Sequence, residues 1–189
     1  MKKALLVTTL SLIFATSAMA QNNFYVQGDL GYAKVTDGKD PIKGFSPRLS
    51  AGYDLGDVRL ALDYTHYKGK KFIDQDRYSV ETSDVKFNSI GFSAIYDFDL
   101  QSQIKPYVGV RLGLNKVKIN AELKAPNYYE SDKFSKTKTG LGILFGASYK
   151  VVPNLELDAG YRYNYWGKFA DDAFKIKSHE FSTGLRYSF

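Results

Sequence analysis

Apolar and polar residues alternate along this chain in repeated stretches of roughly ten residues, which is the length a tilted strand needs to cross a bilayer. The carboxyl-terminal stretch HEFSTGLRYSF, residues 179–189, is the clearest example. Successive side chains of a strand point to opposite faces. One face of this stretch is therefore apolar and aromatic, and the other is polar, small or charged. Lipid outside and a polar lumen inside would explain both faces.

The alternation recurs eight times, and each stretch is predicted to be one strand. The predicted strands span residues 24–34, 46–55, 58–67, 85–98, 104–117, 139–150, 155–166 and 179–189. Short turns near 54–57, 99–103 and 151–154 alternate with longer polar segments near 35–45, 68–84, 118–138 and 167–177. This arrangement is typical of outer-membrane barrels. We predict an all-β fold, an eight-stranded antiparallel transmembrane β-barrel with both termini in the periplasm and four external loops.

Aromatic residues make up 15% of the chain, with 15 Tyr and 13 Phe against one Trp. Many fall at predicted strand ends, where aromatic girdles mark the two membrane interfaces. Those at periplasmic ends are Phe24, Tyr53, Tyr96, Phe98, Tyr149, Tyr187 and Phe189, and those at external ends are Tyr32, Tyr64, Tyr163 and Tyr165. We expect Tyr187 and Phe189 to form the terminal signal that the barrel-assembly machinery reads.

The amino terminus predicts export. Lys2 and Lys3 precede a mostly apolar stretch from Ala4 to Ala15, and Ala18-Met19-Ala20 supplies a small-residue cleavage pattern. We expect residues 1–20 to be a signal peptide and residues 21–189 to be a single barrel domain in the outer membrane. The chain has no cysteine, which excludes a disulfide framework, a thiolate metal site and a cysteine nucleophile.

Charged residues sort by face in the predicted strands. Five arginines and five carboxylates fall on inward positions: Asp29, Arg48, Arg59, Asp63, Arg111, Glu156, Asp158, Arg162, Glu180 and Arg186. Guanidinium groups stay ionised and bind carboxylates bidentately. We favour a structural network in the lumen, because eight strands enclose a bore that side chains can fill. A charged permeation path remains the alternative, because inward glycines such as Gly109, Gly142 and Gly160 could leave space.

Lysines concentrate instead in the predicted external segments. The candidate external binding residues are Lys68, Lys70, Lys71, Arg77, Lys118, Lys124, Lys133, Lys136 and Lys138. A cationic rim could associate with outer-membrane lipid and with the phosphates of lipopolysaccharide, for which lysine is a compact point charge. Ordinary solvated loop charge explains the same residues equally well.

The sequence predicts no catalytic, metal or cofactor site. The two histidines, His66 and His179, have no serine two residues away on the same face. A convergent nucleophile and base are therefore missing, and no metal-ligand cluster or phosphate-binding glycine loop is present. No groove of basic and stacking residues suggests nucleic acid as a partner. We expect the protein not to be an enzyme.

Two stretches resemble the opacity family of bacterial outer-membrane proteins. One is KPYVGVR, residues 105–111, and the other is LDAGYRYNYWG, residues 157–167, followed by His179-Glu180 and GLRYSF, residues 184–189. The resemblance implies an eight-stranded outer-membrane barrel with the porin label of that family. It covers the last third best, and the segments 68–84 and 118–138 show no match.

The resemblance also implies a function in adhesion, because external loops of opacity proteins engage host receptors or sulphated glycans. The equivalent segments here would be 68–84 and 118–138, and the second could attract polyanionic glycans. The sequence thus favours a surface protein that displays loops for host-surface interaction. A small porin with a narrow polar lumen remains the alternative.

Overall fold

The computed structural model describes residues 23–36, 41–75, 80–125, 128–169 and 174–189. Of positions 70–75, 80–81, 124–125, 128–130, 168–169 and 174, only the backbone is described. The predicted signal peptide lies outside the described residues, as does Arg77. No helix in these described ranges is long and apolar enough to cross a membrane.

The described residues form one antiparallel sheet that closes on itself. Its strands are β1 (Phe24–Thr36), β2 (Ile42–Phe45), β3 (Arg48–Asp54), β4 (Val58–Gln75), β5 (Val80–Asp97), β6 (Ile104–Ala125), β7 (Tyr128–Val152), β8 (Leu155–Phe169) and β9 (Phe174–Ser188). The ring runs β1-β3-β4-β5-β6-β7-β8-β9 and returns to β1. The four-residue β2 pairs only with the end of β1, through Tyr32–Phe45 to Val35–Ile42. The predicted eight-stranded barrel is confirmed.

The strands are staggered around the ring. Starting from Gly28 and following directly paired residues through β3, β4, β5 and β6, the path reaches β7 at Thr139. Through β9 and β8 it reaches β7 at Tyr149, ten residues further along the strand. A stagger of this kind is what tilts the strands of a closed barrel relative to its axis.

The barrel has two different ends. The terminal end holds the start of β1, the end of β9 and the three short connections at 55–57, 98–103 and 153–154. There the Phe189 N–H donates to the Phe24 carbonyl at 3.0 Å. Aromatic pairs surround this end: Phe24–Tyr53, Tyr96–Phe98 and Tyr187–Phe189, with ring centroids 4.9–5.2 Å apart. We call the opposite end the hairpin end.

The outer wall is apolar and exposed. Leu30, Phe181 and Leu141 are 70%, 68% and 66% exposed, and outward residues such as these alternate with buried ones along most of the barrel. An apolar band this large would be an aggregation surface in water, whereas lipid solvates it. The outward faces predicted from the alternation are the exposed faces of the barrel.

The prediction of long external loops at 68–84 and 118–138 is wrong, because most of these residues continue the strands. We call the paired segments 68–75 and 80–86 the first hairpin, and the paired segments 118–125 and 128–135 the second hairpin. Strands β5 and β6 stay paired for seven further residue pairs beyond Phe87–Val117, up to Val80–Lys124. At about 3.4 Å per residue, this paired segment extends about 24 Å. Backbone pairing between neighbouring hairpins sustains the strands where no lipid requires an apolar face.

The first hairpin leaves the barrel through an irregularity in β4. The register against β5 shifts between Tyr67 and Lys70, so that Lys68 and Gly69 interrupt the ladder. A Cβ on Gly69 would collide with the Val85 carbonyl oxygen, so only glycine allows this close backbone approach. Bulges of this type bend a strand and change the direction of the segment beyond them.

Candidate functional site

The bore of the barrel is filled by inward side chains in three layers. At the terminal end, tyrosines and aliphatic residues surround two arginines. In the middle lies a buried set of arginines and carboxylates, which we call the ion network. At the hairpin end lies an apolar cluster, which we call the apolar plug.

One half of the ion network is built around Arg48 on β3. Its Nε donates to Asp29 at 3.0 Å, its Nη1 to Glu180 at 2.6 Å and its Nη2 to Ser182 at 3.0 Å. The Asp29 and Glu180 side chains are fully buried. Gln27 donates to the other Asp29 oxygen at 2.9 Å. The guanidinium therefore joins β3 to the neighbouring strands β1 and β9 inside the barrel.

The other half is built around Asp63 on β4. Arg111 donates to both carboxylate oxygens, from Nε at 2.9 Å and from Nη2 at 2.7 Å. Arg162 donates to Oδ1 at 3.3 Å, and the Thr65 hydroxyl donates to the same oxygen at 3.2 Å. One carboxylate thus contacts two guanidinium groups, and all three side chains are almost fully buried.

The terminal-end layer contains an ion pair that was not predicted. Arg59 donates bidentately to Asp97, at 2.5 Å from Nε and 2.8 Å from Nη2. The Arg59 guanidinium also lies over the rings of Tyr25 and Tyr107, 5.8 and 5.3 Å from their centroids, as in cation–π contacts. Asp97 is not among the lumen residues predicted from the sequence. Its odd-numbered position on β5, in phase with buried Ile95 and Ser93, is the signal that could have found it.

The remaining predicted lumen residues lie in the same layer. Arg186 forms an ion pair with Glu156 and lies 5.5 Å from the Tyr25 ring centroid. The buried Asp158 carboxylate accepts a hydrogen bond from the Tyr107 hydroxyl at 3.0 Å. The structure therefore brings the ten predicted lumen residues into the bore, but pairs them differently from a simple set of five salt bridges.

The apolar plug corrects the expectation of a polar lumen. It consists of Ala33, Val35, Tyr67, Phe87, Val117 and Trp166. Trp166 is fully buried, with ring centroids of Tyr67 and Phe87 at 5.0 and 5.9 Å. Its indole Nε1 donates to the Ser178 hydroxyl at 2.8 Å. The predicted alternation already places Tyr67 and Trp166 on inward positions. The expectation that aromatic residues form girdles at the membrane interfaces, however, applies only to the outer surface.

Inward glycines do not leave the open space that the permeation alternative required. A Cβ on Gly91 or Gly113 would collide with the Arg111 guanidinium, and one on Gly160 would collide with the Tyr107 hydroxyl. Glycine at these positions provides room for the long side chains that fill the bore. The cavity among them measures about 40 Å³. A single water needs about 10–15 Å³ of such space, so only a few waters fit.

The candidate external lysines lie on strands rather than in loops. Lys68 and Lys118 are exposed on β4 and β6, and Lys133 is exposed on β7. Lys136 and Lys138 are half-buried, on the inward face of β7. For Lys70, Lys71 and Lys124 only the backbone is described. Exposed Lys86 and Lys116, which the candidate set omitted, flank Lys118 on the outward face.

The two histidines both lie on the outward face near the hairpin end. His66 Nδ1 is 2.8 Å from the Asn88 side-chain oxygen, and His179 Nδ1 is 2.6 Å from the Tyr161 hydroxyl. Within the described ranges, no group of three or more His, Asp or Glu residues is arranged to hold a metal ion.

A closed ring of eight tilted strands, with an apolar exposed wall and a charged packed interior, defines an integral outer-membrane β-barrel protein. The family model described as opacity family porin protein matches residues 51–189. The chain belongs to the opacity family. It is 32% identical to opacity protein opA58 of Neisseria gonorrhoeae over 95% of both chains. It is also 37% identical over both full lengths to an uncharacterized protein of Haemophilus influenzae.

Solved structures give the same architecture. Neisserial surface protein A is 46% identical, with a TM-score of 0.66 over 88% of this chain and 97% of that one. The attachment invasion locus protein Ail of Yersinia pestis, solved with the heparin analogue sucrose octasulfate, has a TM-score of 0.59 over the same shares. At 18% identity, Ail shares the fold alone. The family and Neisserial surface protein A locate the protein in the outer membrane.

Proposed function

We propose that this protein displays its two hairpins at the cell surface and uses them to attach to host surfaces. The observation that carries the proposal is the pairing of the two hairpins with each other, through β5 and β6, beyond the barrel. A ladder joined to a closed barrel holds its side chains in fixed positions, and binding residues are commonly presented by such scaffolds. The proposal requires the hairpin end to face outward and the termini to face the periplasm.

Polyanionic glycans are the ligand class that the hairpin charges favour. The hairpins carry exposed lysines, of which Lys68 and Lys133 were candidates from the sequence. Ammonium groups bind sulphate and phosphate as compact point charges. Ail, a barrel of this fold, is solved in complex with a heparin analogue, but its low identity transfers no residue to this chain.

The small-porin alternative has less support. The ion network and the apolar plug occupy the described bore, and the cavity lined by the ion network measures only about 40 Å³, which argues against a continuous water path. Conductance would require several of these buried side chains to move together. A display function needs no such movement.

Shortening the hairpins tests the proposal. We expect bacteria in which a two-residue turn replaces 70–85 and 119–134 to lose most attachment to epithelial cells, because the projecting ladder is gone. Each removed segment begins and ends with directly paired residues, Lys70 with Val85 and Ile119 with Phe134. The remaining barrel strands therefore keep their register. Heat-modifiable gel mobility checks that the barrel folds.

Variants that shorten one hairpin at a time serve as matched controls, since each keeps half of the ladder. Soluble heparin should compete with attachment of the intact protein if polyanionic glycans are the ligand. Attachment that survives removal of both hairpins from a folded, surface-exported barrel would refute the proposal.

A further inference from the structure

Three lysines are concentrated on the outward face where β5 and β6 leave the apolar band. The last large apolar residues there are Ile90 and Leu114, which are directly paired and 56% and 54% exposed. The next outward pair is Asn88 with Lys116, and the one after it is Lys86 with Lys118. We call Lys86, Lys116 and Lys118 the lysine cluster.

The lysine cluster is only partly neutralised by its surroundings on these two strands. Like charges directly opposite on a sheet destabilise the pairing, and Lys86 and Lys118 are directly opposite. Asp84 lies 3.0 Å from the Lys86 ammonium, in a partly exposed ion pair of the kind that contributes little. The next outward carboxylate on β6 is Glu122, four residues beyond Lys118. A bound anion would offset the remaining repulsion.

The height of the cluster selects the anion. Each step to the next outward residue is about 7 Å along a strand, so Lys116 begins about one step beyond the last lipid-facing leucine. Tyr64 marks the same interface, where its hydroxyl donates to Asn88 at 2.9 Å. Lipid headgroups lie at this level, next to the aromatic belt. Positions on the inward face or further along the hairpins are too distant from lipid.

We infer that the lysine cluster binds the phosphate groups of lipopolysaccharide, the phosphorylated glycolipid of the outer leaflet. The inference goes beyond attachment to host surfaces, but it rests on the same orientation, with the hairpin end outward. Lipopolysaccharide held at β5 and β6 would fix the base of the hairpin ladder against the membrane. The occupant is a neighbouring lipid of the same cell, not a host glycan.

The test compares two triple variants of the refolded full-length protein. Lys86→Gln/Lys116→Gln/Lys118→Gln removes the cluster. Lys133→Gln/Lys136→Gln/Lys138→Gln removes the same charge from the neighbouring β7, at positions that lie further out or on the inward face. The readout is the amount of purified lipopolysaccharide retained per protein after gel filtration in detergent.

We expect the cluster variant to retain at least about tenfold less lipopolysaccharide, since each lysine near an anionic surface adds to the attraction. The control variant should retain the wild-type amount. Lipopolysaccharide stripped of phosphate should be retained weakly by all three proteins, and added salt should weaken retention by the wild type. Equal retention by both variants, or strong retention of phosphate-free lipopolysaccharide, would overturn the inference.

Failure of this inference can be separated from failure of the proposed function. Added protease should cleave the hairpins on intact cells if the hairpin end faces outward. If cleavage occurs and both variants retain lipopolysaccharide equally, only the lipid site is wrong. If the hairpins resist protease until the outer membrane is opened, the orientation is wrong and both proposals fall.

Discussion

Asp63→Asn is expected to destabilise the folded barrel by about 3–5 kcal/mol, the usual result of removing one partner from a buried ion pair. Asparagine keeps the size of the side chain but not its charge. Arg111 and Arg162 would then face each other in a water-poor bore without the carboxylate that both of them contact. The free energy of unfolding in detergent micelles, followed through the fluorescence of the single tryptophan, measures the effect.

Asp57→Asn is the matched control, because Asp57 is exposed in a short turn at the terminal end. Surface substitutions of this type change stability by about 0.5 kcal/mol or less. Adding Arg111→Met to Asp63→Asn should recover part of the loss, since one uncompensated charge is removed. If Asp63→Asn costs no more than Asp57→Asn, the ion network does not hold the barrel together.

Trp166→Ala is expected to cost about 3–5 kcal/mol, as large-to-small changes of a buried aromatic residue do. The substitution leaves a cavity between the Tyr67 and Phe87 rings and removes the hydrogen bond to Ser178. Since the chain has no other tryptophan, heat-modifiable gel mobility and circular dichroism must replace fluorescence as the readout.

Trp166→Phe separates the packing of the plug from its hydrogen bond. Phenylalanine keeps a ring in the cluster, so we expect a smaller cost of about 1–2 kcal/mol from the lost hydrogen bond and the reduced contact area. Nearly equal costs for the two variants, both below about 1 kcal/mol, would mean that the apolar plug is loosely packed.

The barrel itself could be predicted because lipid imposes a strict rule on each spanning strand. Alternate residues must be apolar, as at Phe181 and Leu185, while their neighbours face the bore. The same rule gave the inward positions of Arg48, Arg111 and Arg162. Which arginine pairs with which carboxylate was not predictable. Asp63 contacts Arg111 and Arg162, which are separated from it by 48 and 99 residues in the chain.

The strands of the hairpins were not predicted, because lipid imposes no alternation on them. Beyond the lipid, neither face of a strand needs to be apolar. The alternation therefore fades on the hairpin side of Ile90 and Leu114, although the backbone pairing continues. Phe72, Ile73 and Val80 are strand-forming residues within the segments interpreted as loops. Neighbouring hairpins supply the hydrogen bonds of these strands, and that partnership is not visible in a single stretch of sequence.

The interior was predicted as polar throughout, and the structure shows why this was incomplete. A bore needs polar residues only where charges must be satisfied or water must pass. At its hairpin end the bore is instead packed with Trp166, Tyr67 and Phe87, like the core of a soluble protein. Together with the ion network, this packing occupies the described bore from its middle to its hairpin end.

Recording current across a planar bilayer that contains the purified protein tests this closed bore most directly. The packed interior predicts no stable ohmic step, at any protein amount that gives folded, heat-modifiable barrels in the same lipid. Reproducible ohmic channels whose number rises with the amount of folded protein would contradict it. That outcome would favour the alternative function, a small porin, over the display of hairpins.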